Sequence, residues 1–188
     1  MKKKVLMIHE IKEEYFDLPL EDYILTFDDG LYSQYYYLAE FEKIKTEKIF
    51  FISTKIICKG FQSNKFVPCY EAHRKFFEEG KTEDYMTLDQ LLEIKSKSYC
   101  EIGAHGHGHL DFRNSEDNIV NKLIRLKRDT EDMQAAFSKD LKIRPTKFCF
   151  PYNLEVFGHR RMLKNFGYTD FYGSERIDIE SLLKKGNV

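Results

Sequence analysis

Two adjacent carboxylates, Asp28 and Asp29, lie in the stretch TFDDG directly after an apolar run. Like charges this close resist ionising together unless a positive group lies near them. One interpretation is a plain Asp-Gly turn, which is common in proteins. However, the residues after Gly30 have a helical pattern, and this argues against a returning strand. A bound cation would explain the pair, with one carboxylate as a ligand and the other kept ionised beside it.

Three histidines, His105, His107 and His109, alternate with glycines in the stretch GAHGHGH. They are improbable as core residues, because each buried imidazole would need its own polar partner. On a helical turn His105 and His109 would share a face, whereas in an extended chain all three would share it, and the spacing leaves both geometries open. Neutral imidazoles with one carboxylate form a three-ligand zinc site that keeps an open position. The cluster therefore predicts metal binding rather than a solvated loop.

A third stretch, KFCFPYN, runs from Lys147 to Asn153. Taken alone, it is an apolar strand that ends in a turn at Pro-Tyr-Asn. It becomes a candidate functional segment only in combination with the other two stretches, which precede it in the chain.

Short apolar runs precede these stretches and recur along the chain. The runs are continuous rather than alternating, which is typical of parallel strands that are covered on both faces. The predicted strands are residues 4–8, 22–27, 48–53, 100–104, 147–150 and 168–172. Helical patterns separate them, including one that begins at a Thr87–Gln90 capping box and a long one over about 115–138. This alternation predicts an α/β fold, in which chemistry gathers at the carboxyl ends of the strands.

Composition narrows the functional classes. The 188 residues carry a net charge of -1, from 30 basic and 31 acidic side chains, and no basic stripe indicates a nucleic-acid partner. No stretch has the length of a membrane span, and the first residues lack the apolar core of a signal peptide, so we expect a cytoplasmic location. The four cysteines have no paired spacing and indicate free thiols. Without repeats or linkers, we predict a single catalytic domain over residues 1–188.

Together and in this order, the three stretches resemble the motifs of the polysaccharide deacetylase family, carbohydrate esterase family 4, over residues 22–172. TFDDG matches the first motif in full. His105 and His109 match the second motif, His-Ser/Thr-x-x-His, although Gly106 replaces its Ser or Thr. Pro151, Tyr152 and Asn153 stand where the third motif has Pro-Tyr-Gly. The resemblance implies a distorted, incomplete (β/α) barrel of parallel strands with outer helices.

The resemblance also implies an activity and a set of roles. The implied activity is metal-dependent removal of an N-acyl group, chiefly N-acetyl, from a sugar or polysaccharide precursor. Asp28 would be the general base, and the backbone N–H of Tyr152 would help to bind the oxyanion. The implied ligands of a divalent metal are Asp29, His105 and His109. Zinc suits this ligand set best, with nickel or cobalt as alternatives.

The chain departs from the family in two respects. Many members have a late Leu-x-x-x-His that protonates the leaving amine, but no histidine follows Phe171. Many also have an arginine in the third motif that orients the base, where this chain has Cys149. His9 is our candidate for the missing acid, because imidazole titrates near neutrality and the first strand would end beside Asp28. The alternative is a histidine that merely caps the strand.

Two other functions stay open from the sequence. One is hydrolysis of a different small amide, such as an N-formyl group, at the same site. The other is a metal-binding but catalytically idle protein that has lost its acid. Two further histidines, His73 and His159, lie in helical patterns among charged neighbours and are predicted at the surface.

Overall fold

The computed structural model describes residues 3–186, and these contain one seven-stranded sheet in which every neighbouring pair is parallel. The strands are β1 (Lys4–Ile8), β2 (Tyr23–Asp28), β3 (Lys48–Ile52), β4 (Cys100–Ala104), β5 (Lys147–Cys149), β6 (Asp170–Tyr172) and β7 (Ile177–Asp178). Their order across the sheet is β6-β5-β4-β3-β2-β1-β7. The six strands predicted from the sequence are therefore present, and β7 is an addition.

Helices connect the strands and cover the sheet. They are α1 (Tyr32–Tyr36), α2 (Leu38–Lys43), α3 (Cys69–Glu79), α4 (Leu88–Ser96), α5 (Ile119–Ala136), α6 (His159–Asn165) and α7 (Glu180–Gly186). The capping box at the start of α4 is present, with the Thr87 side chain accepting a hydrogen bond from the backbone N–H of Gln90. The predicted helix over 115–138 corresponds to α5, which continues into a π-helical turn at Phe137–Leu141.

The central strands are rich in apolar residues and are buried under helices and between neighbouring strands. All five residues of β3 are buried, including Lys48, whose ammonium donates to the carbonyl oxygens of Ile44 and Thr46. The inward side chains of β1 to β4, among them Leu6, Phe27 and Phe50, belong to one hydrophobic core. This packing fixes the strands whose carboxyl ends carry the polar motifs.

The two edge strands of the sheet lie close in the chain. β6 and β7 are at opposite edges, yet only residues 173–176 separate them. Since extended chain spans at most about 3.6 Å per residue, the edges must curl towards each other. The sheet is thus an incomplete barrel, as the family resemblance implied. The prediction of one domain over 1–188 also covers residues 1–2 and 187–188, which lie outside the described residues.

Candidate metal and catalytic site

The polar motifs meet at the carboxyl ends of the parallel strands. Asp28 is the last residue of β2, His105 directly follows β4, and Tyr152 lies just after β5. Three site residues have left-handed backbone, with φ of 73° at Asp29, 50° at His109 and 55° at Tyr152. Such strain in non-glycine residues is concentrated at functional sites, where the surrounding structure holds it in place.

Asp29 lies at the centre of this edge. Its Oδ1 is 3.3 Å from Nε2 of His105 and 3.1 Å from Nε2 of His109, and all three side chains are buried. Burial opposes ionisation of Asp29, but His109 and His73 outweigh it and hold the pKa of this carboxyl well below its ordinary value. The site therefore has one ionised carboxylate facing two imidazoles.

The chemistry of these donors fits a metal ion. Among the described residues, Asp29 Oδ1 is buried and accepts no hydrogen bond, an arrangement that is costly without a cation. The ligand atoms of Asp29, His105 and His109 all lie within 4.8 Å of one another. Nδ1 of His105 donates to the carbonyl oxygen of Cys149 at 2.9 Å, which leaves the Nε2 lone pair for a ligand, as in many zinc sites.

Asp28 has a different partner. Its two carboxylate oxygens accept hydrogen bonds from both terminal nitrogens of Arg176, each at 2.7 Å. Arg176 also donates to Oγ1 of Thr26 and to the side-chain oxygen of Asn153. Burial alone would raise the pKa of Asp28, but the Arg176 guanidinium outweighs burial and lowers it. Asp28 is thus an ionised, firmly oriented carboxylate.

His9 lies beside both carboxylates. Its Nε2 is 4.0 Å from Asp28 Oδ2 and 3.9 Å from Asp29 Oδ2, and 35% of its side chain is exposed. The amide of Gln34 donates to the carbonyl oxygens of His9 and Asp28, which ties the ends of β1 and β2 together. His9 is therefore within reach of one bridging water from either carboxylate.

The remaining predicted residues lie around this group. His107 turns away from Asp29, and its Nδ1 is 2.8 Å from Oγ1 of Thr54. The Tyr152 ring packs on the His109 ring with centroids 4.6 Å apart. The oxyanion role of the Tyr152 N–H stays a prediction, as do the roles of Asp28 and His9.

Two predictions about histidines were wrong. His73 on α3 is not a surface residue: its Nε2 is 3.5 Å from Asp29 Oδ2, and its ring centroid is 4.6 Å from that of His109. His159 on α6 is buried between Phe148 and Phe150. Both histidines lie on the buried side of a helix whose other side carries charged residues. Because those charged residues are neighbours in the sequence, the sequence alone indicated a surface position.

Two further site residues have no signal in the motifs. Arg176 lies in the four-residue connection from β6 to β7. Its place in the site can be recognised only from the curled sheet, not from the sequence. Cys69 begins α3, and its thiol donates to Asp29 Oδ2 at 3.3 Å. With His73 included, four of the six histidines in the chain surround Asp29, and these are His9, His73, His105 and His109.

An open pocket of about 520 Å³ lies above this group. Its floor is formed by the two aspartates and the histidines, and its sides by α3 and by the segments that contain Arg113 and Tyr152. A volume of this size lies in the range of small-molecule sites, about 300–1,000 Å³. The site therefore has room for a substrate above the candidate metal ligands.

No protein-family model and no curated protein sequence matches this chain. Solved structures do. IcaB from Ammonifex degensii is 16% identical with a TM-score of 0.68, over 94% of this chain and 84% of IcaB. A de-N-acetylase from Aggregatibacter actinomycetemcomitans is 13% identical with a TM-score of 0.67, over 94% and 93%. A polysaccharide deacetylase from Bacillus cereus is 11% identical with a TM-score of 0.65, over 98% and 68%.

These likenesses show that the chain has the fold of the polysaccharide deacetylases, as the motif resemblance implied. Among residues 3–186, no helix is both long and apolar enough to cross a bilayer. The cytoplasmic location stays a prediction.

Proposed function

We propose that this chain is a metal-dependent hydrolase that removes an N-acyl group, chiefly N-acetyl, from a sugar or glycan precursor. One observation carries the proposal: an ionised Asp28, oriented by Arg176, lies next to the Asp29, His105 and His109 group at the floor of an open pocket. The fold, shared with a de-N-acetylase and with a polysaccharide deacetylase, supports the amide substrate.

Asp29, His105 and His109 would hold the divalent cation, with zinc as the first choice and nickel or cobalt as alternatives. When bound, such a cation supplies Lewis acidity, which polarises a carbonyl and makes water more acidic. These residues would offer the cation one carboxylate and two imidazoles. All three residues line the pocket, so a cation held by them would lie next to the space in which a substrate would bind.

The proton transfers are assigned to residues of this chain. Asp28 accepts a proton from the attacking water at a carboxylate oxygen, since Arg176 keeps this group ionised. The Tyr152 N–H stabilises the negative charge that develops on the carbonyl oxygen. The C–N bond then breaks, and His9 gives a proton to the departing amine. The products are a carboxylic acid and the free amino sugar.

Protein purified without chelator and then loaded with zinc would test this function. Release of acetate from N-acetylated sugars is measured for the unchanged protein, for Asp28→Asn and for His9→Gln, with metal content measured on the same samples. We expect Asp28→Asn to keep the metal and to lose activity by about 10²–10⁴-fold, since asparagine cannot accept the proton. His9→Gln keeps the metal and loses most on substrates with poorly activated amines.

A matched pair of histidine variants tests the ligand assignment. His109→Ala loses stoichiometric metal, whereas His107→Ala, two residues away with its ring turned from Asp29, keeps it. The reverse result overturns the ligand set. Metal binding without turnover of any N-acylated sugar or small amide would identify an idle metal-binding protein and reject the proposed activity.

A further inference from the structure

The two oxygens of the Asp29 carboxylate face different sets of donor atoms. Oδ1 faces the two histidines of the candidate metal site. Oδ2 faces a second set, which consists of the Cys69 thiol at 3.3 Å, Nε2 of His73 at 3.5 Å and Nε2 of His9 at 3.9 Å. The proposed catalytic metal uses none of these three side chains as ligands.

The spacing of this second set is that of donors around one zinc ion. Zinc binds thiolate sulfur at about 2.3 Å and imidazole nitrogen or carboxylate oxygen at about 2.0 Å, so neighbouring donors on a tetrahedral ion lie about 3.3–3.5 Å apart. Cys69 and His73 lie at this distance from Asp29 Oδ2. His9 lies slightly farther away, and 35% of its side chain is exposed, so its ring can turn towards the same point. The ligand atoms of His9, Asp29 and Cys69 all lie within 4.8 Å of one another.

The surroundings of this second set favour a cation. Among the described residues, Nε2 of His73 is buried and has no hydrogen-bond partner, an arrangement that needs an explanation in a folded protein. The backbone N–H of Cys69 donates to the carboxylate of Glu10 at 3.2 Å, which places a further negative charge beside the thiol. All of these residues line the open pocket, so an ion can reach them from solvent.

We propose that Asp29, Cys69 and His9 form a second site for a thiophilic divalent cation, in which Asp29 bridges two ions. His73 is a further donor beside this site. A sulfur ligand selects zinc and similar soft metals over magnesium and calcium. Cys69 releases its thiol proton to solvent when the cation binds, since a coordinating thiol is deprotonated. Because the two ions repel each other and share one carboxylate, the second binds more weakly than the first.

A cation in the second site changes what His9 can do. Its Nε2 lone pair is then used for the metal, so the imidazole no longer carries a proton to the departing amine. Positive charge is also added next to Asp28, whose Oδ2 lies 4.0 Å from the same nitrogen. The second site is therefore inhibitory. This consequence rests on the proposed function, whereas the binding of the second ion does not.

Cobalt titration of the metal-free protein tests the second site without any turnover. We expect two equivalents to bind, with a thiolate-to-cobalt charge-transfer band that develops only with the second equivalent. Cys69→Ser should bind one equivalent and lack the band. Cys100→Ser is the matched control and should behave like the unchanged protein, because Cys100 begins β4 and lies at the opposite end of the sheet from the site.

His9→Gln is a second variant, which leaves the start of α3 untouched. It should keep the first equivalent of cobalt and lose the second. Binding of a single equivalent by the unchanged protein would overturn the second site. So would a thiolate band that develops with the first equivalent, because Cys69 would then be a ligand of the catalytic ion.

The zinc dependence of acetate release links the second site to activity. Each protein is compared with itself at one equivalent of zinc and in zinc excess. Release from N-acetylated sugars should fall by roughly 10²-fold in the unchanged protein once the second site is filled, the scale of a general acid, but not in Cys69→Ser. An equal fall in both proteins would overturn the inhibitory role. If neither protein releases acetate at any zinc concentration, the proposed function fails, and the cobalt titration alone decides whether the second site exists.

Discussion

Asp28 and Asp29 are neighbours in the chain, yet each carboxylate has its own set of partners. Arg176 forms two hydrogen bonds to Asp28, whereas imidazoles surround Asp29. Separate partners remove the conflict of two adjacent buried charges. They also separate two chemical tasks, since one carboxylate is oriented for proton transfer and the other is free for a metal.

Replacing Arg176 by lysine tests the first of these tasks. Lysine keeps a positive charge but cannot hold Asp28 with two parallel hydrogen bonds, so we expect the pKa of Asp28 to rise. The base must be ionised, and the acid limb of the kcat/KM profile should therefore move to higher pH. The loss of orientation lowers kcat by up to about 10²-fold. Arg160→Lys, on an exposed arginine that pairs with Glu155, serves as the control.

An unchanged acid limb in Arg176→Lys would contradict the role of Arg176 in setting the pKa of the base. Metal content should be equal in Arg176→Lys and in the control. The hydrogen-bond partners of Arg176 do not include a candidate metal ligand.

The sequence was sufficient for the residues that lie in motifs. The two aspartates and the three histidines were singled out by their types and spacing, and the family resemblance selected His105 and His109 from the three. The structure brings the side chains of Asp29, His105 and His109 together. Arg176 could not be named in the same way, because its partner is 148 positions away and nothing around it differs from an ordinary turn. Long-range pairing of this kind depends on how the whole sheet closes.

At the scale of elements, helix α5 holds the loop that carries the histidines. Asp129 accepts hydrogen bonds from the backbone N–H groups of His107 and Gly108, both at 2.7 Å. A Cβ on Gly106 would lie 2.9 Å from Asp129, and Gly106 also has φ of +82°. Glycine therefore avoids both a close contact with Asp129 and backbone strain at this position, whereas the Ser or Thr of the family motif would bring both.

We expect Asp129→Asn to weaken zinc binding by about 10- to 100-fold, as is typical when a group that orients ligands is changed. Asparagine has nearly the same shape, but only one of its two side-chain atoms accepts an N–H, so one loop amide loses its partner. Metal titration measures the affinity, and the visible spectrum of the cobalt form reports the geometry of the ligands.

Asp132→Asn, one helical turn further along α5 and exposed, is the control for the Asp129 variant. The thermal midpoint of Asp132→Asn should match that of the unchanged protein, whereas Asp129→Asn should unfold at a slightly lower temperature because one loop N–H loses its acceptor. A normal zinc affinity in Asp129→Asn would show that the loop is held by other contacts.

The strand that the sequence missed has a weak local pattern, since β7 has two residues, too few for periodicity to be visible. Helix α3 was recognised as a helical pattern around His73, but its buried side was not. It is rich in charged residues and buries only Ala72 and Phe76 fully. In contrast, continuous apolar runs such as β3 were predicted to within one residue, because both of their faces are buried.

At the scale of the molecule, closure of the sheet and assembly of the site are linked. Arg176 lies in the short connection that runs from one edge of the sheet to the other. Its guanidinium reaches Asp28 at the end of β2, near the middle of the sheet. Because β7 pairs with β1, docking of this last strand places Arg176. Arg176 therefore orients the base only once β7 has paired with β1.

The buried His159 makes stability of the whole molecule depend on pH. Its ring lies between Phe148 and Phe150, each with centroids 5.4 Å away. Its Nδ1 has no hydrogen-bond partner among the described residues. Burial lowers the pKa of His159 from its ordinary value of 6.5 to about 4. The folded protein therefore holds this imidazole neutral where the unfolded chain protonates it.

Between pH 6.5 and about 4 the unfolded chain binds a proton at His159 that the folded protein excludes, so the free energy of unfolding should fall as the pH falls through this window. The loss from this residue amounts to about 3 kcal/mol at most, and none of it occurs above pH 6.5. His159→Phe keeps an aromatic ring in the same apolar site and removes the titration. Denaturant unfolding at several pH values should therefore show a shallower acid loss for His159→Phe than for the unchanged protein. Carboxylates titrate in both proteins and cancel in the difference, so equal slopes would show that His159 is not held neutral.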